Sequence, residues 1–217
     1  MKSIPSWLLA LLILLTPVTA MPQSGSFTAR GYTSSDRSVG AVRSGRISTH
    51  IGTHAHLVCR DRSGKVVWTR DADNMLTTVG ANLYLTDTIV SGVSSPTWYV
   101  GLLYGTSVAT FATADTMSSN GWATGTGGGE VTGTQVTNST RPAFTPGSVS
   151  AGSVSNTGSP AVFTGNATVT LQGFIFVNNS TLAGTTGTLM GEGTFTAAPI
   201  AAGYTITVTV TDNVTPG

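Results

Sequence analysis

Basic residues all but disappear from this chain after position 70: nine of its ten lysines and arginines lie at or before Arg70, and Arg141 is the one beyond it. Binding a phosphate backbone needs Lys and Arg spread over a folded surface, so this scarcity argues against a specific nucleic-acid reader. Charge of either sign is short, 9% of 217 residues against roughly 25% in ordinary globular domains. The surface must then be covered by Thr, Ser, Asn and Gly, a composition suited to lying against other protein or to life outside a cell. Cysteine is nearly absent too. Cys59 stands alone, which excludes an internal disulfide, and its apolar surroundings read as a small core residue rather than a nucleophile. Long apolar runs are missing: Trp7 to Leu15 is nine residues, too few for a membrane span of about 20, so no stable span is expected in the mature chain.

Catalytic motifs are equally scarce. There is no G-x-S-x-G, and all three histidines, His50, His54 and His56, cluster at or before the first strand of the body, with none further along it to complete a Ser/His/Asp set. The glycine run Gly125 to Gly129 leads into Glu130 rather than Lys-Ser/Thr, which makes it a loop and not a phosphate cradle.

What is present divides by charge. From Met21 to Arg70 there are eight bases against Asp36 and Asp61, whereas from Asp71 onward seven acids face Arg141 alone. The near-neutral total therefore hides a basic front and an acidic remainder, a pattern that flags an interaction tail. Lys2, the apolar run and the small residues Val18-Thr19-Ala20 have the pattern of a secretory signal peptide, the alternative being translation from Met21. Three segments follow: a signal-like stretch or extension over 1–20, a basic Ser/Gly/Arg-rich arm over 21–52, and a β domain over 53–217. Residues 22 to 49 carry no sustained period of 2 or 3.6, which predicts an extended arm.

Beyond it the periodicity is that of strands. His54 to Arg60 and Lys65 to Arg70 are strand-like runs joined by Asp61-Arg62-Ser63-Gly64, whose Gly suits the left-handed position of a hairpin loop. Further strands are expected over 97–104, 130–137, 161–164, 167–177, 187–196 and 204–211, the last alternating Thr with apolar residues. One short helix is expected over 81–90. The absence of crossover helices excludes a parallel α/β sheet. The predicted fold is all-β, a single antiparallel β-sandwich or jelly roll with one short helix and an N-terminal arm.

Candidate chemistry is thin. His54 and His56 share a strand face, about 7 Å apart, but no third metal ligand is evident, and no metal site is assigned. Asp115 and Glu130 are the carboxylates a glycosidase would need, with Trp122 as a stacking partner, yet an Asp-Thr pair more often caps its own turn. Asn138 and Asn166 match the glycosylation pattern, which a Thr-rich chain meets readily by chance. No catalytic residue and no cofactor is expected. Trp68, Trp98 and Trp122 are candidates for core or interface anchors.

The run Cys59 to Trp68, then Asn74 to Gly80, Tyr99 to Leu102, Asp115-Thr116-Met117 with Gly121-Trp122, Arg141-Pro142-Ala143-Phe144, Gly173 to Phe176 and Gly203 to Thr209 resembles, in this order, a family of tailed-bacteriophage virion accessory proteins. The resemblance covers residues 55 to 211. It implies a β-sandwich structural protein of the particle, capsid-decorating or tail-associated, with no catalytic residues to carry over. It also implies other virion proteins as partners, further copies of the chain among them, and translation from Met21, since virions assemble in the cytoplasm. Arg30, Arg37, Arg43 and Arg46 would form the docking arm. The second reading is an exported bacterial binding module, secreted or periplasmic, that holds glycan through a loop aromatic such as Trp122.

Overall fold

The computed structural model describes residues 49–86, 96–105, 111–118 and 128–216. Two antiparallel sheets lie face to face around one main apolar core, an all-β sandwich with one short helix. The first sheet orders β2 (Val66–Asp73), β1 (Thr49–Arg60), β10 (Thr205–Pro216) and β6 (Ser153–Ser155), with β7 (Ala161–Thr164) pairing the other end of β10. The second orders β3 (Met75–Leu76), β9 (Leu189–Ile200), β8 (Val169–Val177), β4 (Tyr99–Gly105) and β5 (Gly128–Glu130). Among the described residues no helix is long and apolar enough to cross a membrane.

The first sheet follows a strict period of two. On β1, Thr53, Ala55, Leu57 and Cys59 are buried while His54, His56 and Val58 are half-buried on the other face. On β10, Ile206, Val208 and Val210 fill the core and Thr205, Thr207, Thr209 and Thr211 face outward. Burial pushes the Cys59 thiol up to about 11, so it remains a neutral core residue as its setting suggests.

The β1–β2 hairpin turns where the Asp61-Arg62-Ser63-Gly64 run places it. Gly64 takes φ +83°, and the Asp61 carboxylate accepts from Ser63 N at 2.8 Å, Ser63 Oγ at 2.6 Å and Lys65 N at 3.0 Å. Those bonds, led by the Ser63 hydroxyl, hold the Asp61 carboxyl below its ordinary range. The strands themselves run longer than the sequence pattern suggests: β1 starts at Thr49, inside the stretch read as arm, and β2 continues to Asp73.

The second sheet is buried on both sides over Leu171–Val177 of β8 and Leu189–Gly193 of β9. Phe174 and Phe176 of β8 point into the main core, while Ile175 and Val177 join Leu103, Met117 and Leu189 in a second cluster on the outer face, flanked by Tyr99 and Phe111. Bulges at Leu171/Gly173 and Phe176/Val177 shift the register between these faces. The helix α1 (Thr78–Leu85) starts three residues earlier than expected because Thr77 caps it, its side chain accepting from Gly80 N at 3.0 Å. The strand expected over 130–137 stops at Glu130. Beyond it, Gln135 Oε1 accepts from Thr132 N and Oγ1, both at 2.9 Å, and closes a turn. Gly128 and Gly129, read as part of a loop, pair with Gly105 and Tyr104 in β5.

Candidate functional site

Glu130 and Arg141 meet on the outer face of the second sheet, and both side chains are wholly buried. The contact is bidentate: Arg141 Nε donates to Glu130 Oε1 and Nη2 to Oε2, each at 2.6 Å. Arg141 Nη1 also donates to Asn179 O at 2.7 Å and Nη2 to Gly184 O at 3.2 Å, while Ala183 N donates to Glu130 Oε2 at 2.9 Å. Gly101 leaves the room, since a Cβ there would lie 2.6 Å from Glu130 Oε1. Burial pushes the Glu130 carboxyl upward and the Arg141 guanidinium opposes it. The pair ties the segment after β5 to the loop after β8. Its carboxylate oxygens are thus committed to a structural network.

Asp115 closes its own turn, as weighed from the sequence. Its carboxylate accepts from Ala112 N at 2.9 Å and its N–H donates to Ala112 O at 2.9 Å. The amides of both sequon asparagines are engaged: Asn138 Nδ2 donates to Val162 O at 3.0 Å and Asn166 Nδ2 to Gly133 O at 3.0 Å. Trp68 Nε1 donates to Pro199 O at 2.7 Å, and Trp98 stacks on Phe176 at 5.4 Å between centroids. Asp212 accepts from Thr53 Oγ1 at 2.9 Å, and its burial pushes its carboxyl up. Arg30, Arg37, Arg43, Arg46 and Trp122 lie outside the described residues, and the side chain of His50 does too.

The exposed face of the first sheet is the broadest functional candidate. Its central strand presents Thr205, Thr207, Thr209 and Thr211, with Val162 and Thr164 of β7 beside one end and Ser153 and Ser155 of β6 beside the other. Across β1 on the same face lie His54 and His56, opposite Asp73 and Asp71 of β2. His54 Nδ1 is 2.9 Å from Asp73 Oδ1, His54 Nε2 is 3.2 Å from Asp71 Oδ1, and His56 Nδ1 is 2.7 Å from the same Asp71 oxygen. The shared face of the two histidines is as the spacing predicts. The two aspartates lie beyond the Lys65 to Arg70 run that the sequence pattern marks as strand, so that pattern does not reveal them. Among the described residues no group of three or more His, Cys, Asp or Glu side chains is arranged to hold a metal ion.

Comparison with protein-family models, with curated proteins and with solved structures finds no match.

Proposed function

We propose that this chain is a non-enzymatic structural protein of a tailed-phage particle, binding other virion proteins through its β body and basic arm. The observation that carries the reading is where the motifs of the resemblance fall. Tyr99 to Leu102 lie in β4, Gly173 to Phe176 in β8 and Thr205 to Thr209 in β10. Arg141 to Phe144 brace β4, with Val100 N donating to Pro142 O at 3.0 Å and Phe144 N to Trp98 O at 2.7 Å. These motifs supply strands of both sheets and the brace on β4 rather than an exposed reactive group.

The outer face of the first sheet adds support. It is broad, and its centre carries hydroxyl and methyl groups rather than charge, a surface that docks by shape and hydrogen bonding. The buried carboxylate Glu130 serves the fold, and Asp115 serves its turn. The reading goes with assembly in the cytoplasm.

The test is composition of the particle. Gradient-purified virions from the phage that encodes this chain should contain it at stoichiometric copy number by quantitative peptide mass spectrometry. Its absence from purified particles would overturn the reading.

A further inference from the structure

Strand β2 is the edge of its sheet, laddered only to β1. Near its end it carries Asp71 and Asp73 on one face, two like charges about 7 Å apart along the strand. Repulsion between them should loosen an edge that has no second neighbour. We propose that His54, flanked by these two carboxylates, is a proton-operated clamp that holds the end of β2 to the sheet when protonated and releases it when neutral.

The proton count follows from geometry. An ionised carboxylate only accepts hydrogen bonds, and a neutral imidazole has one donor nitrogen and one acceptor. His54 turns both ring nitrogens to carboxylate oxygens, Nδ1 to Asp73 at 2.9 Å and Nε2 to Asp71 at 3.2 Å. Both contacts are hydrogen bonds only if the ring is an imidazolium. Losing the proton removes one bond and sets a lone pair against an anion. His56 differs, because its single contact, Nδ1 to Asp71 at 2.7 Å, needs only the Nδ1–H tautomer. Of the two rings, His54 is therefore the one whose full set of contacts requires the extra proton.

No other described charge faces the pair. On the far side β10 presents Thr209 and Thr211. Arg60, on the same face of β1, is spent on Gly64 O at 3.1 Å, and Arg70 lies on the opposite face with its Nε 2.8 Å from Thr196 O. The first half of β2 is held independently of pH by Trp68 Nε1 on Pro199 O. Release should be confined to the stretch from Asp71 to Asp73.

The bond to Asp73, then that to Asp71, outweighs burial and raises the His54 pKa above its ordinary value. A raised histidine stabilises fully below the unfolded value of about 6.5, and that contribution is lost as pH climbs through the folded value. His56, then His54, holds the Asp71 carboxyl below its ordinary range, so its contribution is present above about 3.9 and lost as pH falls through the lower folded value. The clamp is closed between these limits and opens as pH climbs through the raised His54 value.

Hydrogen exchange with mass spectrometry on the full chain between pH 5.5 and 8.5 tests this. Rates are corrected for intrinsic exchange and referred to peptides from β8. Protection over residues 71–73 should fall roughly two- to fivefold across the range, the span an exposed ion pair supplies. His54→Gln should sit at the low level throughout, and His54→Arg, charged at every pH, should be flat and high. Asp73→Asn leaves an amide that a neutral ring can bond and removes the like-charge repulsion, and should flatten the fall. Unchanged relative protection in the native chain, or the same pH dependence in His54→Gln, would overturn the proposal. Both histidines are half-exposed, and a thermal melt at pH 5.5 verifies that each variant is folded.

Discussion

Arg141 has no water to fall back on. Its guanidinium and the Glu130 carboxylate are both fully shielded, so the pair's worth lies less in its own attraction than in what its loss would leave behind. A buried ion pair roughly balances its desolvation, but removing one partner strands the other and costs about 3–5 kcal/mol. Arg141→Met should therefore lower stability by about that amount, or on the order of 10 °C in melting temperature at this chain length. It leaves the carboxylate facing only Ala183 N, with the carbonyls of Asn179 and Gly184 deprived of donors. Combining it with Glu130→Met should cost clearly less than the sum of the two single changes, because neither charge is then orphaned. Urea unfolding of the four proteins gives the cycle, and strict additivity would contradict the assignment.

At the scale of elements, Thr77 fixes the start of α1 to the second sheet. Thr77 caps the helix through Gly80 N, its N–H donates to Met190 O at 3.0 Å, and its hydroxyl also donates to Leu189 O. Thr77→Val keeps the shape and deletes the hydroxyl, so it loses the cap and a strand contact together. A cost of about 1–2 kcal/mol is expected in thermal or urea unfolding, the upper part of the range for caps, since the group is buried. A change within a few tenths would mean that apolar packing alone seats the helix. The cap also explains why the helix begins before the expected 81: apolar spacing marks a face, whereas the start is set by where a side chain can take up a free N–H. Other strands were legible to the degree that they obey a single period. The Thr/apolar alternation of β10 and the turn at Gly64 could be read directly. The short β5 could not, because Gln135 folds back on Thr132 in a stretch that still alternates. The His54, His56, Asp71 and Asp73 cluster was half legible. Two histidines at i and i+2 show a common face, but their partners depend on the β1–β2 register, and the signal for it was Ala72, a further inward residue two beyond Arg70.

Over the whole molecule, the charge split resolves into bases that are occupied and bases that are not assigned. Arg60 bonds Gly64 O, Arg62 bonds Ala202 O through Nε and Nη2, Arg70 bonds Thr196 O, and Arg141 is buried against Glu130. The body therefore keeps most of its cations on its own backbone and carboxylates. If the chain docks on a particle by charge, the work falls to Arg30, Arg37, Arg43 and Arg46. If it docks by shape, it falls to the threonine face. The two routes differ in their response to salt, because exposed charge attraction is screened over about 8 Å at physiological ionic strength while close-packed contact is not. Replacing the four arginines by Gln should weaken rebinding to particles stripped of the protein by on the order of tenfold at low salt, mainly through slower association. The remaining affinity should then be nearly independent of salt between 50 and 500 mM. If the fourfold variant instead rebinds like the native chain, docking belongs to the body, and Thr207→Glu with Thr209→Glu, which place charge at the centre of the exposed face, should be the changes that abolish it.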